Sequence, residues 1–310
     1  MNIIKEVSNL MCVSENGIHI IKDNIGGMTN HSCLISIKGD LFVVREPGKG
    51  SNELVNREHE KYVINTIMKN KNFPTPDMYI NNHYIKITKY VQNSHVPNSL
   101  SEDDIIKSLK SIHKLHTSNI QVPFTYDLYD NIMLYEKLMK KSQFKEYEQV
   151  KEQILELLDI VKLCIRPKYS FTHVDFNPDN VLITASDTYL IDFEYSAMQD
   201  PDLDFAMWCI YSMYDDNMID KFIGICTSQH VNIEYNHTIF KAKIYAYIAI
   251  AGLLWSNWCE YKKQLNQDLG NYALYQFNAA KKYSVKALNI LRKIYYEKRS
   301  IILWQKLKMQ

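Results

Sequence analysis

The most constraining stretch of this sequence places three polar side chains, Asp175, Asn180 and Asp192, between apolar, strand-like runs. Asn180 follows Asp175 by five residues, and Asp192 comes twelve residues later. Asn and Asp are common in turns, so the segment 177–180 by itself predicts only a β-hairpin. A hairpin does not explain why Asp192 stands inside a predicted apolar strand, where an unpaired charge is costly. The pattern therefore favours a site in which these side chains have charged partners or a metal ion.

Two carboxylates and an amide in this order suit phosphoryl transfer from a nucleotide, a reaction that depends mostly on positioning and charge neutralisation. Asp175 is expected to orient the attacking hydroxyl and to accept its proton. Asn180 and Asp192 offer the hard oxygen ligands that Mg²⁺ prefers. We therefore predict that all three residues are catalytic and that Asn180 and Asp192 hold the metal.

Length, charge and cysteine content limit the class of protein. With 310 residues, of which 46% are hydrophobic, the chain is long enough for one large domain or two modest ones. A net charge of +1 does not suggest a nucleic-acid or acidic-membrane partner. The six cysteines form no CxxC pair and no group with histidine at metal spacing, which argues against a zinc site. Their mostly apolar surroundings are typical of reduced thiols in a cytosolic protein.

The sequence predicts neither a signal peptide nor a membrane span. The first residues lack the apolar segment of a signal peptide. The longest charge-free run, 244–259, is short for a span and contains Ser256 and Asn257, so it predicts a buried core helix. We therefore expect a cytoplasmic protein without membrane insertion.

The first third of the chain alternates strand signals with one helix. Strands are predicted at 18–22, 33–37 and 41–45, the last two forming a hairpin. Gly26 and Gly27 lie between the first two strands, where backbone N–H groups can approach a phosphate, although most such pairs are simple turns. Arg45 ends the third strand and can reach nucleotide phosphates, although by itself it is better explained as a surface arginine at a strand end.

The predicted helix begins at an N-cap, Ser51, and ends near residue 69. It carries Glu58 and Glu60, and one of these carboxylates is expected to pair with Arg45 and hold it toward the phosphates, with Glu60 preferred. Two more strands are predicted within 79–91. Tyr90, at their end, is a further candidate nucleotide-binding residue.

From about residue 100 the sequence predicts mostly helix. Helices are expected to start at the N-cap Ser101, to occupy parts of 130–164, and to span about 203–214, 238–264 and 270–298. The chain thus predicts an α+β protein with a small β-rich nucleotide-binding lobe at 1–93. A large, mostly helical catalytic and substrate-binding lobe is expected at 94–310. A cleft between the lobes would place the glycine loop and Arg45 opposite Asp175 and Asp192.

The order of these parts resembles that of the kinase-like phosphotransferases, and most of all the choline/ethanolamine kinase family and its bacterial choline kinases. The resemblance covers nearly the whole chain. The motifs are G-G-M-T-N at 26–30, V-V-R at 43–45, H-x-D-x4-N at 173–180, I-D-F-E-Y at 191–195, D-P-x-x-D at 200–204 and W-x-x-W at 255–258. H-x-D-x4-N alone is shared with the aminoglycoside phosphotransferases, whereas its combination with I-D-F-E-Y and W-x-x-W is far more discriminating.

This resemblance implies a bilobal, protein-kinase-like fold with ATP and Mg²⁺ as cofactors. It implies transfer of the γ-phosphoryl group of ATP to the choline hydroxyl, giving phosphocholine and ADP. On the nucleotide side it points to Gly26, Gly27, Thr29 and Asn30 in the loop and to Arg45 in place of the protein-kinase lysine. Scaffold roles are expected for His173 and for Asp204, the latter beneath the loop that carries Asp175.

Aromatic residues suggest the acceptor pocket. Trp255 and Trp258 are three apart on a predicted helix and share a face, and each contact between an aromatic face and a quaternary ammonium is worth roughly 0.5–2 kcal/mol. Without the resemblance, ordinary core packing is the simpler explanation. With it, the candidate substrate-binding residues are Asp175, Glu194, Tyr195, Trp208, Tyr211, Trp255 and Trp258. The family often has an acidic residue near Tyr211, whereas this sequence has no Glu on that helix, and Asp215 and Asp216 come a turn later.

Three alternatives stay open. The acceptor can be ethanolamine, an aminoglycoside, thiamine or a sugar instead of choline. A protein kinase is disfavoured because the sequence has no D-F-G and no A-P-E segment. A catalytically silent nucleotide-binding module is expected to lack a catalytic aspartate or a metal ligand, and neither is missing. The oligomeric state is not predicted.

Overall fold

The chain folds into two compact units. A computed structural model describes residues 3–26, 30–165, 168–229, 231 and 236–308, with only the backbone described at 164 and 297–308. The first unit consists of Met1–Phe124 and Pro178–Ala197, and the second of Thr125–Asn177 and Met198–Gln310. The segment that carries Asn180 and Asp192 therefore belongs to the same unit as the N-terminal residues. The functional boundary between residues 93 and 94 stays a prediction.

The first unit is built on a five-stranded sheet with the strand order β1-β2-β3-β5-β4. Its strands are β1 (Ile18–Lys22), β2 (His31–Ile37), β3 (Asp40–Glu46), β4 (Met78–Ile80) and β5 (Lys86–Lys89). All neighbouring strands are antiparallel. Apolar side chains of this sheet, among them Cys33, Ile35 and Val44, form one core with Val7 from an N-terminal helix. The predicted strands are confirmed, and the N-terminal helix is an addition.

Three helices complete this part of the unit: α1 (Ile3–Met11), α2 (Arg57–Asn70) and α3 (Glu102–His116). The predicted N-cap of α3 is confirmed, because the Ser101 side chain accepts a hydrogen bond from Asp104 N. The predicted N-cap of α2 was wrong. Asn56 caps that helix by accepting from His59 N at 3.1 Å, whereas the Ser51 hydroxyl donates to the Gly48 carbonyl at 2.8 Å.

A short hairpin completes the first unit. Following β6 (Ser170–Thr172) of the second unit, β7 (Val181–Ile183) pairs antiparallel with β8 (Thr188–Leu190), which confirms the predicted hairpin. Asp192 was predicted to lie inside a strand, and that prediction was wrong. β8 ends at Leu190, and Asp192 has a φ of 64°, a left-handed conformation that interrupts extended backbone.

The second unit is mostly helical, with β6 paired to β9 (Ala197–Gln199), the strand in which the chain enters this unit again. Its helices are α4 (Leu128–Met139), α5 (Tyr147–Ile160), α6 (Asp202–Tyr211), α7 (Asp216–Ser228), α8 (His237–Gln264) and α9 (Tyr272–Lys308). By length and composition α8 is apolar enough to cross a membrane, but 83% of its most apolar window is buried inside the protein. This burial is what a core helix shows, as predicted.

Helices α8 and α9 approach each other closely at one glycine. A Cβ atom on Gly252 would lie 2.6 Å from the Gln276 carbonyl oxygen and 2.8 Å from Ala280 N. Both neighbours are backbone atoms, so they cannot rotate away. The absence of a side chain at residue 252 therefore sets how tightly the two helices pack.

Candidate active site

In the second unit, the loop that carries Asp175 is held by a buried carboxylate. The backbone N–H groups of His173 and Val174 donate to the two carboxylate oxygens of Asp204, at 3.0 and 2.7 Å. Val174 has a φ of 71°, which is strained for a β-branched residue. Two hydrogen bonds to a charged acceptor are strong enough to hold such a conformation. The expected role of Asp204 beneath this loop is thereby confirmed.

The Asp175 side chain has a local partner within the same loop. Asn177 Nδ2 donates to Asp175 Oδ1 at 3.2 Å and to the Asp175 carbonyl at 3.1 Å. The amide orients one carboxylate oxygen without supplying a positive charge. A carboxylate held in this way can accept a hydrogen bond from a hydroxyl, which is the geometry that a general base needs.

In the first unit, three carboxylates and three cations form one buried cluster, here called the ion network. The carboxylates have ligand oxygens within 4.8 Å of one another. The members of the network are Glu60, Asp192, Glu194, Arg45, Arg57 and Lys86. Formal charges of +3 and −3 balance to zero, as a buried cluster requires.

Two neighbouring strands, β3 and β5, each contribute one cation that pairs with Asp192. Lys86 Nζ lies 2.9 Å from Asp192 Oδ1 and 2.9 Å from Glu60 Oε1. Arg45 also pairs with Asp192 Oδ1. Arg45 and Lys86 are directly opposite residues of the antiparallel strands β3 and β5, so their side chains leave the same face of the sheet. The strand register therefore delivers two cations to one carboxylate.

Glu60, rather than Glu58, is the helical carboxylate of the network. Glu58 is exposed and accepts a hydrogen bond from Tyr84 OH at 2.6 Å. Glu60 is buried, and its ion pairs are with Lys86 and with Arg57 Nη1 at 2.7 Å. The direct pair with Arg45 that the sequence suggested is thus replaced, because Lys86 on β5 stands between α2 and Asp192.

The electrostatics of the network follow from burial and charge. Burial alone would raise the pKa of Asp192, but the positive charges of Arg45 and Lys86 outweigh it and hold that pKa well below its ordinary value. In Glu60, burial is likewise outweighed by Lys86 and Arg57, and the pKa is lowered. Burial would lower the pKa of Lys86, yet Asp192 and Glu60 raise it. These groups are therefore ionised at neutral pH.

Glu194 connects the network to the glycine loop. Burial, and then the charge of Asp192, raise its pKa. Its Oε2 lies 3.2 Å from Arg57 Nη1 and accepts from Asn30 Nδ2 at 3.0 Å. Asn30 Oδ1 in turn accepts from Gly48 N at 3.3 Å. Glu194, which was predicted to bind substrate, is thus a member of the ion network in contact with Asn30, and Tyr195 beside it is buried. Substrate binding by either residue stays a prediction.

The two predicted metal ligands are neighbours in the first unit. The Asn180 carbonyl accepts from Ile191 N at 3.0 Å, which ties Asn180 to the residue before Asp192. Asn180 is 7% exposed, and the Asp192 side chain is 10% exposed. A carboxylate and an amide oxygen in a partly accessible position fit the hard, oxygen-only preference of Mg²⁺. The donor set therefore suits that ion.

Two further nucleotide-side predictions concern the glycine loop and Tyr90. Gly26 has a φ of 103°, a conformation that side chains rarely adopt, so glycine is required there. Gly27 and Thr29 lie outside the described residues. Tyr90 is 42% exposed, and its backbone N donates to the Leu41 carbonyl at 2.9 Å, which fixes the residue beside β3.

The predicted aromatic residues form a cluster in the second unit. The Trp255 and Trp258 rings meet edge to face, with centroids 6.1 Å apart, and Tyr211 lies 5.8 Å from Trp255. Trp258 Nε1 is buried and has no hydrogen-bond partner among the described residues. Trp208 is fully buried, and its Nε1 donates to Tyr214 OH at 3.1 Å. Tyr211, Trp255 and Trp258 therefore form the cluster, whereas the Trp208 ring packs against Phe176, with centroids 5.0 Å apart.

Several residues near the site in both units were not predicted from the sequence. Tyr126 and Tyr272 lie near enough to Asp175 that its charge adds to burial in raising their pKa values. The chain contains 22 tyrosines, so composition could not have singled these two out. Lys86 was missed because a lysine between Ile85 and Ile87 is the usual pattern of a strand with one solvent-exposed face.

Comparison with known proteins agrees with these motifs. A model of the phosphotransferase enzyme family APH matches residues 84–223, the part of the chain that contains Lys86, Asp175, Asn180 and Asp192. Protein LicA of Haemophilus influenzae is 26% identical over 270 residues, covering 83% of this chain and 78% of that protein.

Solved structures share the fold. The choline kinase LicA from Streptococcus pneumoniae superimposes with a TM-score of 0.77 at 24% identity, over 92% of this chain and 98% of that one. A LicA structure in complex with AMP superimposes equally well, with a TM-score of 0.77, the same 24% identity, and coverage of 92% and 97%. A choline/ethanolamine kinase family protein from Mesorhizobium loti has a TM-score of 0.72 at 19% identity, with coverage of 93% and 98%.

The family match and the shared fold confirm what the motifs predict about fold and enzyme class. The match includes the three predicted catalytic residues, and the shared fold extends over nearly the whole chain. The chain is therefore a phosphotransferase with a protein-kinase-like fold and an alcohol group as acceptor, and it is similar to choline kinases and to a choline/ethanolamine kinase family protein.

Proposed function

We propose that the protein is an ATP-dependent choline kinase, which transfers the γ-phosphoryl group of ATP to the choline hydroxyl and yields phosphocholine and ADP. The observation that carries this proposal is the aromatic cluster of Tyr211, Trp255 and Trp258 in the unit that also carries Asp175. Aromatic faces attract a quaternary ammonium through cation–π contact. The similarity to a solved choline kinase supports the same acceptor.

The two acids that follow α6 in the sequence are held by other groups of the protein, which favours a quaternary ammonium over a primary amine as the acceptor. Asp215 caps α7 by accepting from Met218 N at 2.8 Å. Asp216 pairs with Lys282 and Lys286, at 3.0 and 2.6 Å. Both carboxylates are therefore engaged by groups of the protein. A primary ammonium such as that of ethanolamine needs hydrogen-bond acceptors, whereas a trimethylammonium needs only aromatic faces.

On the nucleotide side we assign the phosphates to the glycine loop and Arg45. Asn180 and Asp192 would hold Mg²⁺, which supplies charge neutralisation to the phosphates. Arg45 offers a planar fork of donors that matches phosphate oxygens. The exposed ring of Tyr90 offers a face for the base, and Glu60 orders the cations around Asp192. The AMP complex of a protein with this fold supports nucleotide binding, and dependence on ATP suits a cytoplasmic protein. The loop residues assigned here are Gly26, Gly27, Thr29 and Asn30.

In the reaction, Asp175 accepts a hydrogen bond from the choline hydroxyl and takes its proton as the oxygen attacks the γ-phosphorus. The bond from that phosphorus to the bridging oxygen of ADP breaks, and ADP leaves with the electron pair. Asn177 keeps the Asp175 carboxylate oriented, and Asp204 keeps its loop in the strained conformation. The protein forms no covalent bond to the phosphoryl group in this step, since phosphoryl transfer depends mostly on positioning and charge neutralisation.

Replacing Asp175 by Asn tests this assignment. Asp175→Asn should keep the fold and nucleotide binding, and turnover should fall by about three orders of magnitude, because the hydroxyl loses its base. The matched control is Asp179→Asn, an exposed aspartate of the same motif, which should leave turnover unchanged. Near-normal turnover in Asp175→Asn would contradict the assignment of Asp175 as the base.

An acceptor panel tests the substrate. ADP release is measured with choline, ethanolamine, thiamine and an aminoglycoside under the same conditions. Choline should give the largest kcat/KM, and Trp255→Ala should raise the KM for choline more than it changes kcat. A preference for ethanolamine or an aminoglycoside would replace the proposed acceptor, and no release with any acceptor would favour a nucleotide-binding module.

A further inference from the structure

Two cations in the first unit share a single carboxylate oxygen. Under the proposed function, one of them has to leave this oxygen and bind nucleotide phosphate. Arg45 and Lys86 both pair with Asp192 Oδ1. The proposed function requires a cation for the nucleotide phosphates. Only a cation that can leave Asp192 without stranding a buried charge can serve, since an unpaired buried charge is strongly destabilising.

The two cations differ in how they are held. Lys86 is 6% exposed and bonds two buried carboxylates, Glu60 and Asp192, at 2.9 Å each. The Arg45 side chain is 23% exposed, and its ion pair is with Asp192. Lys86 is therefore fixed between two partners, whereas Arg45 is the cation that can turn toward a ligand.

When Arg45 turns away from Asp192, the remaining cations can still pair with every carboxylate of the ion network. The network has three cations and three carboxylates, so it loses one of its three positive charges. Asp192 still has Lys86 at 2.9 Å, and Glu60 still has Lys86 and Arg57. Every carboxylate thus retains a cationic partner. Without Lys86, Asp192 would depend on Arg45 alone among the network cations.

We propose that Lys86 is a positioning residue of the nucleotide site: it holds Asp192 and Glu60 so that Arg45 can leave Asp192 and bind nucleotide phosphate. The inference rests on the proposed function in assigning Arg45 to the phosphates. Lys86 itself stays with its carboxylates and does not touch the nucleotide. Its removal leaves Arg45 as the partner of Asp192, and Arg45 is then withheld from the ligand.

The test compares ligands that differ only in phosphate. Binding of adenosine and of ADP is measured by calorimetry, without any acceptor, for wild type and for Lys86→Met. ADP binding should weaken about 10- to 100-fold, the value of a charge-assisted phosphate contact. Adenosine binding should not change. Lys89→Met, the same substitution at an exposed position of the same strand, is the matched control and should bind both ligands as wild type does.

A double variant shows whether Lys86 acts through Arg45. Arg45→Met alone should weaken ADP binding by a similar factor. Because both changes remove the same contact, Arg45→Met/Lys86→Met should bind ADP about as well as Arg45→Met alone. Additive losses would overturn the proposal, as would an equal loss of ADP and adenosine binding in Lys86→Met.

A second pair of variants covers the case in which Lys86→Met does not fold. Glu60→Gln/Lys86→Met removes one carboxylate together with the lysine and leaves formal charges balanced, at two cations and two carboxylates. Compared with Glu60→Gln, it should bind ADP more weakly and adenosine equally well. Equal ADP binding in the two variants would overturn the inference. Wild type that binds neither ligand would instead refute the nucleotide side of the proposed function.

Discussion

The two units each bury a cluster of charges, and the clusters differ in how far they are closed. In the second unit, Lys243 Nζ pairs with Asp200 at 2.7 Å and with Asp202 at 2.6 Å, and Tyr247 OH donates to Asp200 at 2.6 Å. Each of the three charged side chains is at most 2% exposed. No solvent-accessible member is available to exchange partners there. We infer that this cluster stabilises the fold.

The ion network of the first unit is buried at one end and accessible at the other. Glu60 and Arg57 are 2% and 7% exposed, whereas Asp192 and Arg45 are 10% and 23% exposed. Asp192 also has a left-handed backbone, a strained conformation that persists where surrounding contacts determine it. A graded network of this kind can exchange a protein cation for a ligand, which a closed cluster cannot do.

The largest expected effect is a loss of turnover, and it should follow a substitution in the ion network but not one in the Lys243 cluster. Asp192→Asn should lower turnover about 10³-fold, because the proposed metal site would lose its charged oxygen ligand and the neighbouring cations would lose their shared carboxylate. Steady-state ADP release measures this, with Asp187→Asn in the exposed turn of the β7–β8 hairpin as the matched control. Activity within a few-fold of wild type would place Asp192 with the structural charges instead.

The second effect is on stability alone. Lys243→Met should lower the free energy of unfolding by about 3–5 kcal/mol, because two buried aspartates lose their cation. Lys241→Met, two residues earlier, breaks the partly exposed pair with Asp220 and a cation–π contact with Tyr245, and should cost less, about 1–2 kcal/mol. Chemical denaturation measures both. If folded Lys243→Met also loses turnover per molecule out of proportion to Lys241→Met, the assignment of a purely structural role is wrong.

A smaller effect on stability tests the close contact between α8 and α9 in the second unit. Gly252→Ala should destabilise by about 1–3 kcal/mol, since its Cβ would overlap backbone atoms of α9. Gly224→Ala on α7 has nothing within 4 Å and should be neutral or stabilising by up to about 1 kcal/mol. The melting temperatures of the two variants are compared by thermal denaturation. Equal melting temperatures would contradict the close contact between α8 and α9.

The smallest effect is a pH dependence in the first unit. The pKa of Glu60 is lowered in the fold, so its ionised form stabilises the protein above the unfolded value and this contribution is lost as the pH falls through the folded value. The difference in unfolding free energy between wild type and Glu60→Gln should be full at neutral pH and shrink below about pH 4. Urea denaturation from neutral to acidic pH measures it, and a pH-independent difference would contradict the ionised pairing with Lys86.

Local sequence signals predicted elements whose cause is local. The Ser101 cap, the β7–β8 hairpin and the buried core helix α8 depend on residues within a few positions of one another. The start of α2 could not be predicted in the same way. Ser51, Asn52 and Asn56 are all good N-cap residues, and the choice of Asn56 depends on the turn that Ser51 closes with Gly48.

The sequence by itself indicated the enzyme class, because Asp175, Asn180, Asp192 and the tryptophan pair stand at motif spacings that nearby residues define. Only the tertiary structure decided which charges meet. The register of β3 with β5 places Lys86 opposite Arg45, and the left-handed Asp192 turns its carboxylate to both. The physical reason is range: backbone preferences act over a few residues, whereas an ion pair forms between whatever atoms the fold brings together.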